Sequence, residues 1–251
     1  MQEPRHLRNA PITEAIIDFR VKARAGFRPE DFADLKTRLS ERFPKVDEHR
    51  GLQVTLGVIK GQVQPPVVQG PGLKGYFFKS SDEKTIAQFR ADGFTFNRLR
   101  PYTSWEDLFP QAIELWSLYC IISKPEVVTR LAVRDINRIE LPGGSVTLET
   151  LKSHLRATPV IPPELPQSII SFLTRVTIRD TATDIAAHIA QALEGSAPGK
   201  QPAVILDIDA FMEREFSVDD PAIEQTFGQL REFKNLIFFN SLTDDALRRF
   251  E

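Results

Sequence analysis

From Thr13 to Lys22 the apolar side chains Ala15, Ile17, Phe19 and Val21 alternate with Glu14, Asp18 and Arg20, with Ile16 alone out of step. That is the period of a half-buried strand. Pro29 suits a first helical turn, and Phe32, Leu35, Leu39 and Phe43 recur behind it at helical spacing, so a helix is predicted up to Pro44. Leu52, Val54, Leu56 and Val58 alternate again as a strand. Residues 61–75 hold Pro65-Pro66 and Gly70-Pro71-Gly72, the composition of a long exposed loop. Residues 76–79, 85–90 and 94–99 then predict short antiparallel strands, with turns at residues 80–83 and at Asp92-Gly93. Thr103 or Ser104 can cap a helix over residues 104–122, whose apolar face is wide enough to be central to the fold.

A second round of the same elements follows. Residues 127–141 read as a strand, 148–155 as a short helix, and Pro159, Pro162, Pro163 and Pro166 as a stiff linker. Residues 169–179 and 182–193 predict a hairpin, although 185–190 could equally be helical. Residues 203–208 form a near-continuous apolar run, the look of a strand buried on both faces. Asp220-Pro221 opens a helix reaching residue 239 along Ile223, Phe227, Leu230 and Lys234, and residues 244–250 add a last short one. The expected fold class is therefore α+β: mainly antiparallel sheet with packed helices, in two similar β-α-β-β-β-α halves. Residues 1–124 and 125–251 are the expected halves, sharing one continuous core and consistent with an internal duplication.

Composition narrows the function classes. The 251 residues are 41% hydrophobic and 26% charged, with 18 Phe, an ordinary globular balance. A formal net charge of −2 gives no field that selects nucleic acid. The ends differ in sign, with 12 Lys+Arg against 9 Asp+Glu in residues 1–60 and 6 against 11 in 200–251. Head-to-tail contact between two copies, a homodimer, is one partner option this leaves open. The lone Cys120 excludes an internal disulfide, and the opening MQEPRHLRNAPITEA carries no apolar stretch of a signal peptide. No apolar run approaches the length of a membrane helix, so a cytoplasmic location without membrane partners is expected.

Few residues offer chemistry. Asp207 and Asp209 lie two apart on a strand, so both carboxylates can face one Mg²⁺. Asn97-Arg98 and Asn137-Arg138 could together make a polar ligand site, since arginine offers a planar fork for carboxylate or phosphate. Arg130, Arg134 and Arg138 share one face of a regular strand; they can form a basic stripe or pair across strands with Glu140, Asp135 or Asp207. His6, His49, His154 and His188 are scattered, which gives no zinc-binding pattern. Gly70-x-Gly72-x-x-Gly75 has dinucleotide spacing without a strand before it or a helix after it.

The run Asp92-Gly93-Phe94-Thr95-Phe96-Asn97-Arg98-Leu99, followed by Pro101-Tyr102-Thr103-Ser104-Trp105-Glu106, resembles a sporadically distributed bacterial family that has no established activity. Lys124-Pro125-Glu126, Leu165-Pro166-Gln167-Ser168 and Leu206-Asp207-Ile208-Asp209 agree, and the resemblance covers nearly the whole chain. Its patchy occurrence implies, by association, a place in a defence-associated multi-gene system. The resulting expectation is a non-enzymatic regulatory, scaffold or antitoxin-like protein without a cofactor. Its partner is then another protein of the same operon, with Asn97, Arg98, Tyr102, Trp105, Arg130, Arg134, Asn137 and Arg138 as contact candidates. Two alternatives stand beside it. One is a Mg²⁺-dependent enzyme on nucleotides or nucleic acid, using Asp207 and Asp209 with Arg98 or Arg138. The other is a sensor holding a small ligand between the halves. The strand-to-helix corners at residues 97–104 and 207–220 are the expected place for a site.

Overall fold

Alternation over residues 13–22 produces the strand at the middle of the molecule. The computed structural model describes residues 7–55, 58–59, 62–63, 67–195 and 201–251, and within 52–71 the backbone alone. β1 (Ile12–Lys22) pairs with β7 (Gly93–Leu99) on one side and with β8 (Val127–Glu140) on the other. Beyond β7 lie β6 (Thr85–Arg90), β5 (Val67–Lys79) and the edge strand β2 (Lys45–Thr55). Beyond β8 lie β11 (Ala203–Phe216), β10 (Ile185–Glu194) and the opposite edge, β9 (Leu173–Asp180). Among the described residues these nine strands form one sheet in which every pairing is antiparallel. Short β3 (Val58–Ile59) and β4 (Gln62–Val63) pair apart from it.

Both long helices cover the same face. α2 (Trp105–Ser123) follows β7, and α4 (Ala222–Ser241) follows β11. Phe19 of β1 meets both: its ring stacks on Trp116 at 4.2 Å and lies 4.8 Å from Phe227, which itself lies 5.5 Å from Phe109. Phe19, Phe89, Phe94, Phe96 and Phe227 are fully buried in this layer. Each such ring contributes about 1.5–3 kcal/mol over its exposed state, so the helix-covered face is where the fold is stabilised. The opposite face carries Glu14, Asp18 and Arg20 of β1 and is lined by charged side chains.

Ser104 caps α2, its Oγ accepting from the Asp107 amide at 3.1 Å, and the Asp220 carboxylate accepts from the Ala222 amide at 2.8 Å at the start of α4. α3 (Leu148–Lys152) and α5 (Asp244–Arg248) are short, each capped by a threonine.

The structure corrects several expectations. The helix predicted after Pro29 is a 3-10 turn (Pro29–Phe32) and one α turn, α1 (Leu35–Arg38). Phe32, Leu35 and Phe43 are nonetheless buried, so tertiary packing meets the apolar spacing without a continuous helix. Much of the loop expected at 61–75 is strand β5, while residues 60–61 and 64–66 lie outside the described residues. Gly75 is there for proximity: a Cβ would sit 2.1 Å from the Phe89 carbonyl oxygen. Residues 185–190 are strand, in register between β9 and β11. Between Val204 and Ala210 β11 is fully buried on one face: Val204, Leu206, Ile208 and Ala210 point inward, while Ile205, Asp207 and Asp209 are half-buried on the charged face.

Candidate functional site

On the charged face the ladder register sets who meets whom. Arg134 lies opposite Asp209 on β11, and its guanidinium reaches diagonally to Asp207 as a fork, with Nε donating at 2.7 Å and Nη2 at 2.5 Å. That hydrogen-bonded contact, followed by the carboxylate's charge, raises the Arg134 pKa further, against the opposing effect of burial. Arg130 stacks over Phe211 at 4.6 Å, donates to Asp209 at 2.8 Å, and reaches Asp18 at 3.4 Å. Asp18 in turn accepts from Thr95 at 2.5 Å and from Arg20 at 3.0 Å. Arg138 is held by Glu140 and Glu194, both at 2.6 Å, and Asn97 donates to Glu14 at 2.6 Å. The Arg130–Arg134–Arg138 stripe does share a face, with every member in an ion pair. A cation at Asp207 and Asp209 would have to displace two arginines. Among the described residues no group of three or more His, Cys, Asp or Glu could hold a metal ion.

The two Asn-Arg pairs do not form one site. Alternation puts Asn97 and Arg138 on the charged face, and Arg98 and Asn137 on the helix-covered face. Arg98 donates to Thr85 at 2.5 Å and lines a cavity of about 200 Å³ with Asp107 and Gln111 beside the start of α2.

Asn137 belongs to a different cleft, of about 140 Å³, between the two long helices. Its walls come from four places: the segment around Leu7–Ile12, the β7–α2 corner with Tyr102 and Trp105, the inward row of β8, and the middle of α4 with Arg231, Lys234, Asn235 and Phe238. The corner at 207–220 contributes nothing to it. The inward row of β8 runs Leu131, Val133, Asp135, Asn137, Ile139, so two polar residues interrupt an apolar series. Asp135 is 6% exposed and forms an ion pair with Lys234, which is 7% exposed. Asn137 is 1% exposed; its amide donates to the Leu206 carbonyl at 3.2 Å, while its Oδ1 is buried with no hydrogen-bond partner among the described residues. Burial, and then the negative charge of Asp135, pushes the Tyr102 phenol well above its usual range, so it stays protonated as a potential donor. Arg231 lies 5.3 Å from the Trp105 ring and pairs with Glu106 at 3.0 Å.

No family model matches this chain, and no curated protein matches it in sequence.

Among the sequence candidates the cleft thus brings together Tyr102, Trp105 and Asn137, and leaves Asn97, Arg98, Arg130, Arg134, Arg138, Asp207 and Asp209 elsewhere. It also contains Asp135 and Lys234, which sequence reasoning did not single out as a site. A signal existed for each. Asp135 falls on the apolar phase of β8, and Lys234 follows Ile223, Phe227 and Leu230 on the apolar stripe of α4. Cys120 stands apart: burial pushes its thiol up to about 12, which suits an inert side chain rather than a nucleophile. Among the described residues no helix is long and apolar enough to cross a membrane.

Proposed function

We propose that this protein is a binding module that takes a small polar molecule into the cleft between α2 and α4. The observation that carries this reading is the buried Asn137 Oδ1 without a partner, beside the buried Asp135–Lys234 pair. An unsatisfied buried acceptor costs about 1–3 kcal/mol, and a buried ion pair is commonly no more stable than apolar residues in its place. Such groups are kept where they meet something. The cleft draws its walls from both ends of the chain, so an occupant would tie the β1–β7 region to β8 and α4. That suits a sensor, and the resemblance to a patchily distributed bacterial family gives the setting: a cytoplasmic regulatory component of a multi-gene system. The strand order also supports a duplication, since β1-β7-β6 and β8-β11-β10 run outward from the centre in matching sequence, each last-formed strand leading into a long helix.

The test is a thermal-shift screen of small polar metabolites against the wild type and Asn137→Leu, a nearly isosteric change. Compounds that raise the melting temperature of the wild type and not of the variant are expected. A screen in which no compound shifts the wild type refutes the reading.

A second reading, recruitment of a macromolecule, is favoured by the edge strand β9, where Leu173 is 73% and Val176 54% exposed beside Ile170 at 91%. An open edge with apolar side chains is a template for another chain's strand. If an operon partner docks there, Val176→Lys abolishes its co-purification from the native host, and unchanged co-purification rules this edge out.

A further inference from the structure

We infer that the cleft's ligand presents a neutral, planar ring with an N–H next to a carbonyl, the lactam edge of a nucleobase; this rests on the cleft being a binding site. Asn137 Oδ1 can only accept, so the group that meets it must donate, which excludes a bare phosphate or carboxylate at that point. The Lys234 ammonium is balanced by Asp135 and Arg231 by Glu106, so the floor beside Asn137 favours a neutral group, with Arg8 the remaining cation of the lining. An ammonium has three donors, and Asp135 is the acceptor it meets among the described residues, which leaves N–H groups for a carbonyl. Asp135, which holds the Lys234 donor, and Asn137, the acceptor, lie two apart on the same face of β8, about 7 Å between Cα atoms. Tyr102 supplies an aromatic wall with a hydroxyl at hand, while Trp105 lines the cleft with Phe109 stacked on its ring at 4.8 Å and Arg231 over it.

Volume sets the size. The cleft measures about 140 Å³. A cavity of about 150 Å³ holds one benzene-sized ring. A base fits where a whole nucleotide does not, so any sugar would lie at the mouth.

Calorimetric titration with uracil and hypoxanthine tests this, with 1,3-dimethyluracil, which has no N–H, as the control. Uridine in a parallel arm separates a free base from a base on a sugar, and saturable binding of either supports the inference. Removing one hydrogen bond of this kind is worth about tenfold in affinity, so dimethyluracil and the Asn137→Leu variant should each bind at least tenfold more weakly. Unchanged Trp105 and Trp116 emission in the variant shows that the fold is intact; if the variant misfolds, the dimethyluracil comparison on the wild type decides alone. Equal affinity for uracil and dimethyluracil overturns the inference. So does the failure of all these bases while other compounds raise the melting temperature in an Asn137-dependent way, and that result leaves the binding reading standing. If neither these bases nor the wider screen bind, both readings fall.

Discussion

Lys234 occupies a position where α4 calls for an apolar side chain, and Asp135 does the same on β8; each is tolerable only because the other is there. Removing one partner leaves an uncompensated charge in the interior, which costs about 3–5 kcal/mol. Lys234→Met should therefore lose roughly that much stability in urea unfolding, whereas Lys234→Met with Asp135→Leu should recover most of it. A double variant no better than the single would mean that the pair contributes more than mutual neutralisation. Cys120 gives a second residue-level prediction. With its thiol pushed up to about 12 by burial, the folded protein at pH 8 holds far less thiolate than an ordinary cysteine, whose pKa is about 8.5. The sign is that raising a thiol pKa depletes the nucleophile at any pH below it. A disulfide reagent should react with Cys120 at least about a hundredfold more slowly in native protein than in urea, even after discounting for its partial exposure. Equal rates would place the thiol in solvent.

At the scale of elements, close approach of backbones explains what composition conceals. Gly93 looks like the second residue of an Asp-Gly turn, and it also lets β7 lie against β1: an added Cβ would stand 2.1 Å from the Phe19 carbonyl oxygen. Gly93→Ala must push these central strands apart and should cost more than about 3 kcal/mol by thermal or urea unfolding. A loss below about 1 kcal/mol, the ordinary size of a point-mutant effect, would show that the pair can shift. The same contact logic is why residues 67–75 were illegible as strand: glycine for a turn and glycine for a tight strand pairing look alike in composition. Strands β1 and β8 were legible because one face of each is buried, which forces the two-residue period onto the chain. The corollary is that the site was half hidden. Tyr102 and Trp105 stood out beside the β7–α2 corner and Asn137 as half of an Asn-Arg pair, but Asp135 counted only as a partner for the β8 arginines, although two-residue alternation places it on the face opposite to theirs. Asp207 and Asp209 attracted attention by spacing alone, and spacing cannot show that Arg134 and Arg130 already hold them.

For the whole molecule, the β1–β8 pairing decides how the chain unfolds. Its register runs from Ile12 opposite Asn137 to Lys22 opposite Val127, so the sheet does not break between the two halves. Phe19 is covered at once by Trp116 from one half and Phe227 from the other, which makes the core common property. A chain built this way has no surface along which to open without exposing fully buried aromatic rings, and its unfolding should be two-state. Both tryptophans, Trp105 and Trp116, lie on α2, so their emission reports the first half, whereas far-UV circular dichroism reports helices and strands of both. The two probes should give one midpoint and one slope in urea. Residues 1–124 expressed alone should fail to show cooperative unfolding, because β1 would lose a whole ladder of partners and Phe19 would lose its cover from α4. Separate midpoints for fluorescence and dichroism, or a folded fragment, would show that the halves are independent units joined at a seam. In that case an occupant of the α2–α4 cleft would move one half against the other rather than tighten a single body.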